Sequence, residues 1–413
     1  MLNHSRHFAL FTVSVVLTAM TMLSVGASAA IRGKILYSFS GQNDGGDPAA
    51  QLLIDRTGNV YGTTVVGGTF GFGTVFELKR MSGGTFQEIV LHNFESSPDG
   101  KNPYGGLAAD SAGNLYGVTA AGGDGTVCSG DGCGTVFKLA RSGNSWTYSV
   151  IYSFQDGSDG FGPGAAPVVD KNGNLFGTTP DGGQNGFGVV YELSPTQGGQ
   201  YQETILHNFT GGNDGSTGSL GQLEFDAAGN LYGVTELGGA SSAGTVFRMS
   251  NASGTWKLAT LYAFKGQPDA GFPYGGVIFD KAGNLYGTTY FGGANGTGAV
   301  YKLDRTTRQE SVLYSFQGGT DGSFPTTTLV FDAAGNLYGT TTTGGKPACD
   351  CGTVFELTPN GSGWTESVLH AFGNAPDGAN PYYGLVPDAA GNLYSTTAAG
   401  GTHEQGIVFA FKP

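Results

Sequence analysis

Carboxylates, aromatic rings and a few residues that interrupt a repeating pattern are the side chains in this sequence that could do chemistry. Asp44, Asp99, Asp159, Asp214, Asp269, Asp321 and Asp377 recur at one loop position, six of them followed by Gly. A ring of such oxygens would suit Ca²⁺ or the hydroxyls of a sugar. An Asp-Gly pair more often caps its own turn, because the Asp side chain bonds backbone N–H groups ahead of it. Occurrence in every copy favours capping, since a binding site usually breaks a repeat rather than obeying it. Calcium also needs about 6–8 converging oxygens, which spacing alone cannot supply. No cofactor is therefore expected, and Ca²⁺ is the one metal the pattern would suit.

Aromatic residues crowd the same loops: Tyr104, Tyr274, Tyr382 and Tyr383, with Phe70, Phe72, Phe187, Phe272, Tyr290, Phe291 and Phe324. Flat rings beside carboxylates and amides suit a carbohydrate or peptide. The plainer reading is packing under neighbouring loops against Pro103, Pro273, Pro325 and Pro381. Two residues break the pattern outright. Glu224 stands where six other copies have an apolar residue, and His403, beside Glu404, lies in the last copy's loop. The ligand-binding set read from sequence is Glu224, His403, Tyr274, Tyr382, Tyr383 and Asp377. No catalytic residue is assigned. The chain has no His-Glu-x-x-His, Gly-x-Ser-x-Gly, phosphate loop or dinucleotide fingerprint, and 32 acidic residues offer no distinguishable catalytic pair.

His92, His207 and His370 share a strand position with Tyr37, Tyr152, Tyr262 and Tyr314, and Trp146, Trp256 and Trp364 share another with Phe86 and Tyr201. Both sets read as structural. Cys128 and Cys133 fall in one loop and Cys349 and Cys351 in another, three repeats on. Three steps around a seven-fold ring subtend about 150°, too far for cross-pairing. Pairing within each loop is expected in an oxidising compartment, the Cys128–Cys133 staple more readily than the tight Cys-x-Cys ring. Neither pair has zinc spacing, so no metal is assigned.

The elements that must position these residues follow from self-comparison. Asp-x-x-Gly-Asn-Leu/Val-Tyr/Phe recurs with its Asp at 55, 110, 170, 226, 280, 332 and 388. Each copy continues to Gly-Gly, then Gly-x-Val-Phe/Tyr, then an apolar run ending in Phe. The unit predicts four strands. Strand a is a short apolar run, followed by a tight Asp-x-x-Gly-Asn hairpin. Strands b and c alternate in hydrophobicity as strands should, and strand d ends at the Phe. One such sheet cannot bury both its faces. Stacking copies around an axis gives a propeller, whereas β-helix coils are shorter and lack a hairpin in every repeat. The d-strand ending occurs at Phe39, Phe94, Phe154, Phe209, Phe264, Phe316 and Phe372, and the final c strand (407–411) has no d strand after it. The expected fold is all-β: a seven-bladed β-propeller of four antiparallel strands per blade, closed by pairing 31–39 with the last blade. Parity puts the d–a and b–c loops on one face and the hairpins on the other.

Asn-Leu-Tyr-Gly-Thr-Thr at 336–341, Gly-Gly at 344–345 and Gly-Thr-Val-Phe-Glu-Leu at 352–357 resemble the GloVer tandem-repeat family of exported bacterial proteins. The resemblance spans 31–413. It implies export and extracellular residence, and it transfers no activity and no catalytic residue. Members often carry a C-terminal anchoring signal; none is read here, so free secretion is expected.

The first thirty residues fit that picture. A polar start with Arg6, an apolar run over 8–25 and small residues at 27–29 read as a signal peptide, leaving 31–413 as one propeller domain, secreted to the periplasm or outside the cell. A net charge of −13 without a basic stripe argues against nucleic acid or anionic membrane partners, and no membrane association is expected after cleavage. A monomer is expected. The function read from sequence is an extracellular binding or scaffold module for a polysaccharide, peptide or cell-envelope component. The alternative is a carbohydrate-active hydrolase or lyase with its site on the long-loop face.

Overall fold

The hairpin is the local unit that starts every blade. In the computed structural model, Asp226 shows its chemistry: Oδ1 accepts from the backbone N–H of Ala228 and Asn230, while Oδ2 accepts from Asn230 Nδ2 and the Tyr232 hydroxyl. Gly229 closes the turn at φ +81°, where a side chain would add strain. The structure describes residues 33–48, 50–155, 157–218, 221–361, 363–373 and 375–413. The predicted signal peptide, 1–30, lies outside the described residues.

Seven antiparallel sheets follow, each with four strands ordered a–b–c–d, and blade 4 adds a short fifth strand, Ser216–Gly218. In blade 1 these are Leu53–Ile54, Val60–Thr64, Thr74–Arg80 and Phe86–Asn93. Strand b is fully buried and packs between its neighbours, whereas strand d is only half-buried at the rim. A register shift interrupts the pairing of strands c and d in all seven blades, as between Val75 and Phe76. Such bulges raise the local twist.

The last blade takes its outer strand from the N-terminal region. Lys34–Ser38 pairs antiparallel with Ile407–Phe411, Lys34 opposite Ala410 and Ser38 opposite Ile407. Among the described residues the core falls into seven interblade layers, one of which closes the ring. Phe39, Leu52, Val60, Phe76, Leu78 and Val408 pack there with at most a few per cent exposure. The ring is closed, as its repeat arithmetic requires.

In every blade the incoming d–a loop pairs with that blade's b–c loop. Gly100–Lys101 pairs with Ala121–Gly122, Ala270–Gly271 with Phe291–Gly292, and Gly378–Ala379 with Ala399–Gly400. Strand Ser216–Gly218 and three isolated bridges do the same in the other four blades. The long loops therefore share one face, opposite the hairpins.

Candidate functional site

The d–a aspartates are joints between blades. Each accepts from the residue seven positions earlier: Tyr37 to Asp44 at 3.0 Å, His92 to Asp99 at 2.8 Å, Tyr152 to Asp159 at 3.0 Å, His207 to Asp214 at 2.9 Å, and so around the ring. Most also accept the backbone N–H four residues back, as Ser40 donates to Asp44 at 2.8 Å. Asp377 is one of this set. It bonds His370 at 3.1 Å and the Gly378 N–H at 3.0 Å, with Lys346 at 3.8 Å. Burial works against the charge of Asp377, but the His370 bond outweighs it together with the other donors, and its carboxyl lies below the ordinary carboxylate range.

A second regularity governs these joints. Where the donor is Tyr (37, 152, 262, 314), the next strand d places a glutamate beside the aspartate: Glu88, Glu203, Glu310 and Glu366. Where the donor is His, that strand position holds Tyr148, Leu258 or Gly33 instead. Burial, reinforced by the facing aspartate, raises Glu88, Glu203 and Glu366 to about 7, and it also raises Glu310. Oε1 of all four is buried without a hydrogen-bond partner. A histidine can neutralise the joint's aspartate by ion pairing; a tyrosine cannot, and there the glutamate is held toward its neutral form.

A concave feature of the loop face lies on the axis. A cavity of about 350 Å³ is lined by Tyr104 of blade 2, Tyr274 and Tyr290 of blade 5, Tyr382 and Tyr383 of blade 7, with Asp47, Gln51, Gln222 and Thr326–Thr328. Hydroxyls of strand b hold this rim. The carbonyl of Tyr383 accepts from Ser395 Oγ at 3.0 Å and Thr340 Oγ1 at 3.4 Å, and the carbonyl of Pro103, next to Tyr104, accepts from Thr63 Oγ1 at 3.1 Å. Tyr383 interrupts the repeat: the equivalent residues are Ala50, Gly105, Ala165, Gly221, Gly275 and Thr327. Burial raises its hydroxyl above the ordinary tyrosine range, and Asp47, Tyr104 and Tyr274 add to the shift. Groups from four blades thus meet at one phenol.

Asp47 is the carboxylate of the cavity lining. Its φ is +51°, its Oδ1 is buried without a partner, and burial pushes its carboxyl up to about 6. Two other blades carry Asn there, and Asn102 and Asn380 each donate to a carbonyl of the preceding blade, Val65 at 3.2 Å and Thr342 at 3.0 Å. Tyr274 is raised to about 12 by burial and by Glu236, which accepts its hydroxyl.

The structure therefore gathers Tyr274, Tyr382 and Tyr383 at one mouth and places the other three sequence candidates elsewhere. Glu224 sits in strand a of blade 4 (Glu224–Phe225), on the channel wall beneath the mouth, in hollows that share Gln51 and Gln222 with it. It keeps water contact, yet burial is enough to raise its carboxyl. His403 is exposed in the last b–c loop, and Asp377 is held in its joint. Sequence reading missed Asp47, Gln51 and Gln222. Their signal was present as departures from the repeat at ring positions, but only the fold shows that those positions face the axis. Both disulfides form within their loops, Cys128 with Cys133 and Cys349 with Cys351.

Fold and site together define a closed seven-bladed propeller with one asymmetric axial cavity on its loop face. The model of the Gloeobacter/Verrucomicrobia repeat matches residues 25–132, 125–327 and 220–413, and the chain belongs to that repeat family. No curated protein matches it. Similar solved structures include a Bacteroides uniformis protein provisionally assigned as a 6-phosphogluconolactonase (15% identity, 78% of this chain and 84% of that one, TM-score 0.49). A Dyadobacter fermentans protein of unknown function (13%, 82% and 98%, TM-score 0.47) and Trypanosoma rangeli sialidase (12%, 81% and 57%, TM-score 0.41) are others.

Proposed function

We propose that the chain is an exported binding module that takes a neutral, hydroxyl-rich ligand, a glycan, in the axial cavity of its loop face. The observation that carries this reading is the convergence of Tyr104, Tyr274, Tyr290, Tyr382 and Tyr383 from three blades on a lining whose described residues include no Lys, Arg or His. The C–H face of a sugar ring packs on the electron-rich face of an aromatic ring, and Gln51, Gln222, Thr326 and Thr328 offer amides and hydroxyls for its O–H groups. A cavity without a cation disfavours anionic ligands. Export is supported by the N-terminal pattern and by the two loop disulfides.

A glycan and peptide array, followed by titration of hits against Tyr383→Ala, tests the reading. Alanine occupies the equivalent ring position in two other blades, Ala50 and Ala165, so the fold should persist. Affinity should fall at least about tenfold with the loss of a stacking ring. Silence of the glycan array, or unchanged affinity in the variant, would overturn it.

A hydrolase is the second reading, favoured by one observation: Asp47, raised to about 6, is suited to hold a general acid's proton near neutral pH. Turnover of a neutral polysaccharide that disappears in Asp47→Asn would support it.

A further inference from the structure

We infer that the axial mouth continues into an aromatic shelf over blades 5 and 6, and that the ligand is a glycan chain lying along it, not a single sugar in the cavity. The inference rests on the glycan reading above.

Five rings form an unbroken series leaving the cavity. Tyr274 and Tyr290 line the mouth, their centroids 5.6 Å apart. Tyr290 stacks on Phe324 at 4.9 Å, Phe324 meets Phe291 edge-on at 5.6 Å, and Phe291 meets Phe272 edge-on at 5.5 Å. Phe291 is 42% exposed, and Phe272 and Phe324 are half-buried. Phe272 packs on one side against the core layer between blades 4 and 5, yet it and Phe324 stay half-buried and Phe291 reaches the surface.

The shelf is confined to one sector. At the positions of Tyr290 and Phe291 the other six blades carry no aromatic residue. The repeat scaffold therefore does not need these rings, and blade 5 has acquired them at the blade edge that borders the cavity.

The backbone points the same way. Phe272 and Phe324 occupy the position of Asp47, Asn102, Gly162 and Asn380, where the repeat imposes left-handed φ between +51° and +69°. Asn, Asp and Gly tolerate that region, whereas a bulky side chain there is a strained outlier. Phe at two adjacent blades, both feeding one ring series, is not what folding alone would select.

A chain of neutral sugars fits this arrangement. It would place one unit among the tyrosines and the amides of the mouth, and its following units with their C–H faces on Phe324, Phe291 and Phe272.

The test compares a disaccharide with a hexasaccharide of each of four neutral series (β-1,4-glucan, β-1,3-glucan, β-1,4-mannan and β-1,4-xylan) by calorimetric titration. The proteins are wild type, Phe291→Ala, and the double variant Phe272→Asn with Phe324→Asn. The Asn variant installs the residue already used at 102 and 380 with the same left-handed backbone, so the loop conformation should be kept, and a melting curve checks that the fold persists. The expected result is a hexasaccharide bound at least about tenfold more tightly than its disaccharide by wild type, that advantage being lost in both variants while disaccharide affinity stays within about twofold. Equal wild-type affinity for both lengths, or equal loss for both in the variants, would overturn the shelf and leave the mouth reading standing. Silence of all four series, or capture of peptides alone on a parallel array, would overturn both.

Discussion

Replacing Glu88, Glu203 and Glu366 together by Gln should make the protein more stable at pH 8 and leave it nearly unchanged at pH 4. Each of these glutamates faces a clamp aspartate and its tyrosine: Asp44 and Tyr37, Asp159 and Tyr152, Asp321 and Tyr314. Their carboxyls are raised from 4.5 to about 7. A carboxyl raised by folding stabilises the native state fully below its unfolded value, and that stabilisation is lost as pH rises through the folded value. The window is therefore about pH 4.5 to 7. The full difference corresponds to about 3 kcal/mol per group, and partial exposure reduces it to about 1–2 kcal/mol. Gln imitates the protonated acid and removes the loss. For about 380 residues the unfolding entropy is near 0.8 kcal/mol per degree, so the triple variant should melt roughly 5 °C higher at pH 8. Thermal unfolding followed by circular dichroism from pH 4 to 8.5 reads this directly. Parallel wild-type and variant curves, or a variant less stable at pH 8, would refute the neutralised joint.

Three further outcomes are expected. Phe39→Ala should cost about 3–5 kcal/mol in urea unfolding, because Phe39 is fully buried in the closing layer and meets Phe76 at 5.1 Å; a neutral effect would mean the N-terminal strand does not seal the ring. Gly117→Ala should cost about 1–3 kcal/mol, since its Cβ would clash with Phe137 Cζ, and an unchanged melting temperature would contradict that packing. Asp47→Asn should be neutral near pH 3 and stabilising by about 1 kcal/mol at pH 8, because burial raises this carboxyl from 3.8 to about 6 and its contribution is lost as pH rises through that window.

The repeat made the architecture legible before any coordinates. A hairpin Asp in every copy, a d-strand Phe in every copy and a c strand left without a partner predict blade number, strand order and closure, and Lys34–Ser38 against Ile407–Phe411 is the predicted seal. Tyr274, Tyr382 and Tyr383 were legible as loop aromatics, but not as neighbours, because their sequence separation exceeds one hundred residues between blades 5 and 7. Glu224 was singled out correctly as an interruption, yet an interruption in strand a faces the channel wall and not the mouth. The pairing of Tyr joints with glutamates was invisible for a different reason. It couples strand d of one blade to the loop of the blade before it, so aligning copies column by column never sets the two residues side by side.

That distinction explains why this fold can carry a specific site at all. Side chains repeated in all seven blades are spread around the rim, each held in its own joint or hairpin, as Asp377 by His370 and Asp226 by Asn230. Seven equal positions seven-fold apart cannot converge on one ligand unless they lie at the axis. At the axis, equal residues would give only a symmetric hole. One Tyr383 among six small residues turns that hole into a walled cavity, and Tyr290 and Phe291 in one blade give it a direction. Recognition here must come from where the repeat is broken near the axis, while stability comes from where it is kept.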